Sequence, residues 1–262
     1  MISNFKFLEV FSKLEILQPK HPGGYVQYLL QELERLQHIR EIYIAIHEVT
    51  FSLQRLLESQ KLLGCIRKFT LDDCNDLTSL VLSPSSLRKM EDLQLRSCDN
   101  LRELRITRGT GHFDKLSKVM IKGCRSFSDV RWLIYARRLQ TLELVFCESL
   151  GEIIGDELGV GEIEENMEIF SRLLVLRLVS LPTLKRICRH ALPFPFLIKI
   201  EVQDCPLFKK LPFDSNSVRN NLKLISGEES WWESLHWDDE AIKLFFSSKF
   251  RKLRPDQNPK DW

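Results

Sequence analysis

The apolar residues of this chain fall into one recurring spacing. Ile66, Phe69, Leu71, Cys74, Leu77 and Leu80 follow the pattern LxxLxLxxCxxLxxL. Met90, Leu93, Leu95, Cys98, Leu101 and Leu104 repeat it in the next stretch, and Leu116, Val119, Ile121, Cys124, Phe127 and Val130 in the one after. Further sets begin at Leu139, Leu173 and Leu197, with the widest gap between Leu139 and Leu173. The set at Leu173 carries Leu181 where most of the others carry cysteine. A weaker copy starts at Ile39 with Ile42 and Ile44, and Phe11, Leu14 and Ile16 form a degenerate copy before it. In each LxLxx core the apolar residues alternate with polar ones, as one short β-strand with a single buried face requires.

A strand of that kind cannot bury its face alone, so the units must stack side by side into one parallel sheet. A period of roughly 20–29 residues with this core defines a leucine-rich repeat. The expected fold is an α/β horseshoe solenoid with the parallel sheet on its concave face and an irregular, partly helical convex side. Residues 1–225 supply about seven to eight units, and 226–262 a C-terminal cap and mobile tail. The alternation also sorts each strand. Leu95 points inward and tolerates no charge, whereas Gln94 points outward and should accept an aspartate.

The outward positions run from Glu41, Tyr43 and Ala45 through Lys68, Thr70 and Asp72, then Asp92, Gln94 and Arg96. They continue with Lys118, Met120 and Lys122; Thr141, Glu143 and Val145; Val175, Arg177 and Val179; and Lys199, Glu201 and Gln203. Met120, Val145, Val175 and Val179, with Phe146 just beyond its strand, are predicted to form an exposed apolar patch flanked by Lys122 and Arg177. A contiguous patch of that kind marks a protein contact. These residues, with Glu143 between them, are the candidate partner-binding set.

Between the repeats the pattern changes. Val26, Leu29, Leu30, Leu33 and Leu36 have helical spacing, as does the run from Phe51 to Leu63. The long interval before Leu173 holds GDELGVGEIEENMEIF, whose glycines and acids predict a loop outside the sheet. Leu222 and Leu224 alternate as a last strand would, and Trp231, Trp232 and Trp237 then supply the surfaces that cover the final apolar layer.

Composition narrows the chemistry. The formal net charge is +2, which selects no partner by itself. Its distribution is uneven: Arg102 to Arg138 holds ten Lys or Arg against three acids, and Glu152 to Glu168 seven acids and no base. The seven cysteines include no CxxC pair, so zinc is not indicated. Cys74, Cys98, Cys124, Cys147 and Cys205 occupy one repeat slot, where a small polar side chain ends the strand and bonds to backbone left unpaired by the bend. Such a ladder fits reduced thiols. No GxxxxGK, HExxH or GxSxG string occurs, and the six histidines include no pair at helical metal spacing. No catalytic residue, metal ligand or cofactor site is expected. Charges interrupt the apolar residues of the N-terminus, and no segment has the unbroken apolar length of a membrane span, so a cytoplasmic protein is expected.

The runs CIRKFTLDDCNDLTSLVLSPSSLRKMEDLQLRSCDNLRELRI, FLIKIEVQDCPLFKKLPFDSNS and GEESWWESLHWDDEA resemble the C-terminal leucine-rich repeats of plant intracellular immune receptors of the coiled-coil, nucleotide-binding type. The likeness covers most of residues 1 to about 245. The CPxxKKLP string followed by WWE carries most of it, because leucine-rich repeats in general lack it. The resemblance implies a non-enzymatic recognition domain in plant innate immunity. Its implied partner is a pathogen effector, a guarded host protein or the nucleotide-binding domain of a full-length receptor. The nucleotide-binding and coiled-coil domains of such receptors have no counterpart in this sequence, so no nucleotide is carried over. Two other readings remain: a substrate adaptor of the F-box type, whose repeats use cysteine at the same slot, and a nucleic-acid binder using the stretch from Arg102 to Arg138. Only Lys118 and Lys122 of that stretch are phased onto the concave sheet, which argues against nucleic acid.

Overall fold

A computed structural model describes residues 13–17, 24–35, 39–47, 51–107, 111–155, 169–189, 192, 194–213 and 221–253. Of the predicted loop at 155–170, residues 156–168 lie outside the described residues, as does the tail from residue 254. The first half contains β1 (Lys13–Leu17), α1 (Gly24–Arg35), β2 (Glu41–His47), α2 (Phe51–Glu58), α3 (Gln60–Leu63) and β3 (Ile66–Asp72). It continues through β4 (Ser79–Leu82), β5 (Asp92–Arg96), β6 (Glu103–Ile106) and β7 (Lys118–Lys122). A 3-10 turn (Arg131–Tyr135) precedes β8 (Thr141–Val145), β9 (Val175–Val179), β10 (Lys199–Gln203) and β11 (Leu224–Gly227). The chain closes with α4 (Glu229–Glu233), α5 (Glu240–Ser247) and β12 (Phe250–Lys252).

Ten strands form one sheet in the order β1-β2-β3-β5-β7-β8-β9-β10-β11-β12, and every pairing is parallel. The strands β4 and β6 pair separately on the return path of two neighbouring units. This is the leucine-rich-repeat solenoid, and its core is the repeat pattern made three-dimensional. Leu93, Leu95, Val119, Ile121, Leu142 and Leu144 on the strands are fully buried, as are Leu101, Phe127, Leu150, Leu184 and Phe208 on the return path. Each such side chain contributes roughly 1.5–3 kcal/mol by leaving water. From β5 to β10 the register advances without a shift, so Leu95, Ile121, Leu144, Leu178 and Val202 lie in one line.

The first described repeats differ from their expected phase. A register shift between Ile42 and Tyr43 sets Ile44 and Ile46, not Ile42 and Ile44, opposite Phe69 and Leu71. Alternation cannot choose between these settings, because Ile42, Ile44 and Ile46 are all buried. In consequence Tyr43, Ala45 and His47 face the same way as Lys68, Thr70 and Asp72. Glu41, expected among them, instead lies beside Arg67 at 3.1 Å. The helical run from Phe51 to Leu63 is broken at Ser59, whose hydroxyl accepts from the Leu62 N–H at 3.4 Å and starts α3.

Six consecutive strands of the sheet end in the same way. Asp73, Ser97, Gly123, Phe146, Ser180 and Asp204 follow β3, β5, β7, β8, β9 and β10 with positive φ. From Asp73 to Ser180 these residues donate their N–H to the last carbonyl of the next strand, at 2.8 to 3.0 Å. At Asp204 the acceptor is the Glu228 carboxylate instead, at 3.0 and 3.2 Å. Cysteine follows at most of these positions. Cys98 Sγ donates to the Arg96 carbonyl at 3.1 Å, and Cys205 Sγ to the Gln203 carbonyl at 3.3 Å. Cys74 and Cys147 each bond both to their own strand end and to the preceding strand. All are free thiols and buried, so the small polar side chain ties adjacent units together.

The last apolar layer is covered by aromatic rings. Trp231 stacks on Phe208 and its Nε1–H donates to the Phe208 carbonyl at 2.8 Å. Trp232 stacks on Phe250, and Trp237 and Phe213 on Phe246. The cap itself ends in a strand, since β12 pairs with β11 and extends the sheet through Lys252.

Candidate recognition surface

Parallel register turns the outward positions into rows that cross the sheet. One row contains Tyr43, Lys68, Asp92, Lys118, Thr141, Val175, Lys199 and Leu224; the next contains Ala45, Thr70, Gln94, Met120, Glu143, Arg177, Glu201 and Ser226. A third contains His47, Asp72, Arg96, Lys122, Val145, Val179 and Gln203. Neighbours within a row are about 4.8 Å apart, close enough for charges on adjacent strands to pair.

They do pair. Lys118 lies 3.3 Å from Glu143, Glu143 lies 3.8 Å from Arg177, and Arg177 Nε donates to Glu201 at 2.8 Å. Lys199 completes the network on Glu201, also at 2.8 Å. The carboxylates sit low and the ammonium groups stand above them, with the Glu143 and Glu201 side chains 16% and 15% exposed against 39% and 38% for Lys118 and Lys199. Burial alone would raise the Glu201 carboxyl, but Lys199 and Arg177 together hold it below its ordinary value. A second cluster lies on β3 and β5. Lys68 stands 3.8 Å from Asp92, Gln94 Nε2 donates to Asp92 at 2.8 Å, and Arg96 donates to the Gln94 oxygen. Here burial prevails and the Asp92 carboxyl is raised, while its Oδ1 has no hydrogen-bond partner.

The expected apolar patch needs correction. Val145 and Val179 are 2% and 0% exposed, so they do not present apolar surface. They are adjacent in the third row, with Lys122 and Gln203 on either side and Phe146 next in the chain. Short branched side chains between longer ones lose contact with water even on the outward face of a sheet. Of the candidate set, Met120, Lys122 and Val175 are half-buried on the concave side, Phe146 is half-buried just beyond the end of β8, and Glu143 and Arg177 are spent on each other. Gln94 is also buried, at 3% exposure. With both ends of its amide bonded, it is not the permissive position that alternation implied.

Two features escaped sequence reading. His47 faces the concave side with Nδ1 3.1 Å from Asp72, which the offset of β2 alone determines. The signal was present in Ile46, which extends the alternation one step beyond the expected pair. The other is the backbone at Phe146, already in the candidate set, whose φ of 54° lies in the left-handed region that favours glycine. Among the described residues no group of three or more His, Cys, Asp or Glu side chains is arranged to hold a metal. No described helix is long and apolar enough to cross a membrane.

Comparison of the sequence with known protein families and relatives agrees with this architecture. The model of a family described as plant disease resistance protein RPS2-like, leucine-rich repeats, matches residues 105–226. The disease resistance protein RPS5 of Arabidopsis thaliana is 32% identical over 238 residues, covering 85% of this chain and 26% of that protein. The disease resistance protein SUMM2 of the same plant is 29% identical over 241 residues, covering 87% of this chain and 26% of its own length. The chain therefore spans about a quarter of the length of the curated relatives it matches. Among solved structures, the leucine-rich repeat domain of the type III effector XopL aligns at 17% identity with a TM-score of 0.40, covering 82% of this chain and 79% of that one.

Proposed function

The chain carries the leucine-rich repeats of plant disease resistance proteins, and from that premise we propose that it is a cytoplasmic binding module of the defence response. It acts by contact and not by catalysis, and it recognises a protein on the concave sheet. That protein is a pathogen effector, a host protein altered by one, or the nucleotide-binding domain of a full-length receptor.

The observation that carries this reading is the relief of the concave rows. The backbone repeats from β5 to β10 without a shift, whereas the side chains above it change from strand to strand among cation, anion, amide and hydrocarbon. A constant frame bearing variable groups is suited to recognition and not to a single chemistry.

Affinity capture from plant tissue with the 262-residue chain, with and without pathogen challenge, followed by reconstitution of the purified pair, tests the proposal. Met120→Arg and Val175→Asp should each weaken the reconstituted pair by at least about tenfold, the scale set by a buried charge at an interface, with the melting temperature unchanged. Full binding by both variants would remove the concave sheet as the contact surface.

A further inference from the structure

Each strand from β5 to β10 is entered through an equivalent turn. In four of these turns the first residue of the repeat bonds back three positions: Met90 to Leu87, Leu139 to Ala136, Leu173 to Phe170 and Leu197 to Phe194, at 3.0 to 3.2 Å. Leu116 enters β7 at the same phase, three positions after Phe113. The anchors Leu87, Phe113, Ala136, Phe170 and Phe194 are all buried, so the two residues between anchor and strand project from the lateral edge of the solenoid. The backbone just inside the turns is bonded from unit to unit, Gln140 to Ser117, Leu174 to Gln140 and Ile198 to Leu174. Successive turns are thereby stacked one strand step apart.

The projecting residues are mostly cations. Arg88, Lys89, Lys115, Arg137, Arg138 and Arg172 come from four consecutive units, and Asp114 is the one acid among the turn pairs of those units. Lys89 reaches back to the Arg40 carbonyl at 3.4 Å; none of the other five has a side-chain hydrogen bond or ion pair within the described residues. Their isolation contrasts with the concave face, where Lys118, Arg177 and Lys199 are all paired. Like charges one strand step apart repel one another, so nothing among the described residues favours the alignment. In the next unit the phase passes to Phe196, 50% exposed, beside Ile198 at 38%.

From this alignment we infer that the lateral ridge is a second docking surface, and that it takes an acidic protein segment with an apolar anchor at one end. The inference extends the reading of the chain as a protein-binding module. Charge complementarity selects an anionic partner. The ridge is two residues wide and bordered by Glu91 and Asp92, which suits a linear segment better than a membrane plane. The hydrocarbon at its end, with a pI of 8.1 for the whole chain, disfavours a phosphate backbone, whose binders are more basic. Aromatic and arginine side chains together are the groups that dominate protein contacts.

The test is fluorescence anisotropy with a labelled helical peptide bearing glutamates at i and i+4 and a pair of leucines at one end. Its glutamine counterpart, an oligothymidylate and phosphatidylserine vesicles are the comparison probes. The acidic peptide should bind the purified chain and weaken as salt rises. Arg138→Glu/Arg172→Glu should reduce its affinity at least about tenfold, Arg138→Gln/Arg172→Gln by less, and Phe196→Ala severalfold, all with unchanged melting temperature. Met120→Arg on the concave sheet should leave it unaffected, so failure on the ridge and failure of the concave reading are distinguishable. Equal binding of the glutamine peptide, insensitivity to charge reversal, or tighter binding to oligothymidylate or vesicles would overturn the assignment.

Discussion

The residues that follow the strands show how much strain a repeated unit tolerates. Asp73, Ser97, Phe146, Ser180 and Asp204 all hold positive φ, and Gly123 alone adopts it freely. The reason is the hydrogen bond that each N–H makes: from Asp73 to Ser180, moving the residue to another conformation would leave the last carbonyl of the next strand unpaired, and at Asp204 it would release the Glu228 carboxylate. Ser180→Gly keeps that bond and relieves the strain, so it should raise the free energy of urea unfolding by about 0.5–1 kcal/mol. An unchanged or lower midpoint would show that the serine makes a compensating contact.

At the scale of elements, the C-terminal cap depends on close approach between β11 and α4. A Cβ at Gly227 would stand 2.5 Å from the Trp231 ring and 3.1 Å from the Val202 carbonyl. The ring cannot yield, because it is stacked on Phe208 and held by its own hydrogen bond. Gly227→Ala should therefore destabilise the protein by about 1–3 kcal/mol through overpacking. Trp231→Ala, which removes the ring, should cost about 3–5 kcal/mol. In the double variant the two costs should fall short of their sum, since the clash has lost its partner; additivity in thermal melts would mean that Gly227 matters for another reason.

For the molecule as a whole, the stacked thiols set an alkaline limit. Burial pushes Cys147 and Cys205 up to about 12 from an ordinary 9.0. In the window between those values the unfolded chain has lost thiol protons that the folded one retains. Their contribution to stability is complete below pH 9 and declines as pH rises towards 12. The melting temperature should fall across that interval, less steeply in Cys147→Ala, and equal slopes would exclude Cys147 as a source. The same cysteines show how far the sequence could be read. Their phase identified the strands, the inward leucines and the rows, because burial of a repeated face leaves little freedom in register. It did not identify His47, because three alternating isoleucines permit two settings of β2. It did not identify buried Val145 and Val179, because alternation tells which way a side chain points and not how tall its neighbours are. The lateral cations escaped for another reason. They lie one or two per turn, far apart along the chain, and become a line only when the units stack.

The junction between β8 and β9 carries a wider implication. Its repeat interval, from Leu139 to Leu173, is longer than that between any other two successive full repeats, yet Thr141 meets Val175 and Val145 meets Val179 with no slip. Length added on the return path is absorbed there, because the sheet register depends on the strands and loop closure grows only slowly with loop size. Insertions and deletions at such junctions are thus close to neutral for the presented surface. A lineage could lengthen or shorten its outer contour while inheriting its concave face intact, and so vary the one independently of the other.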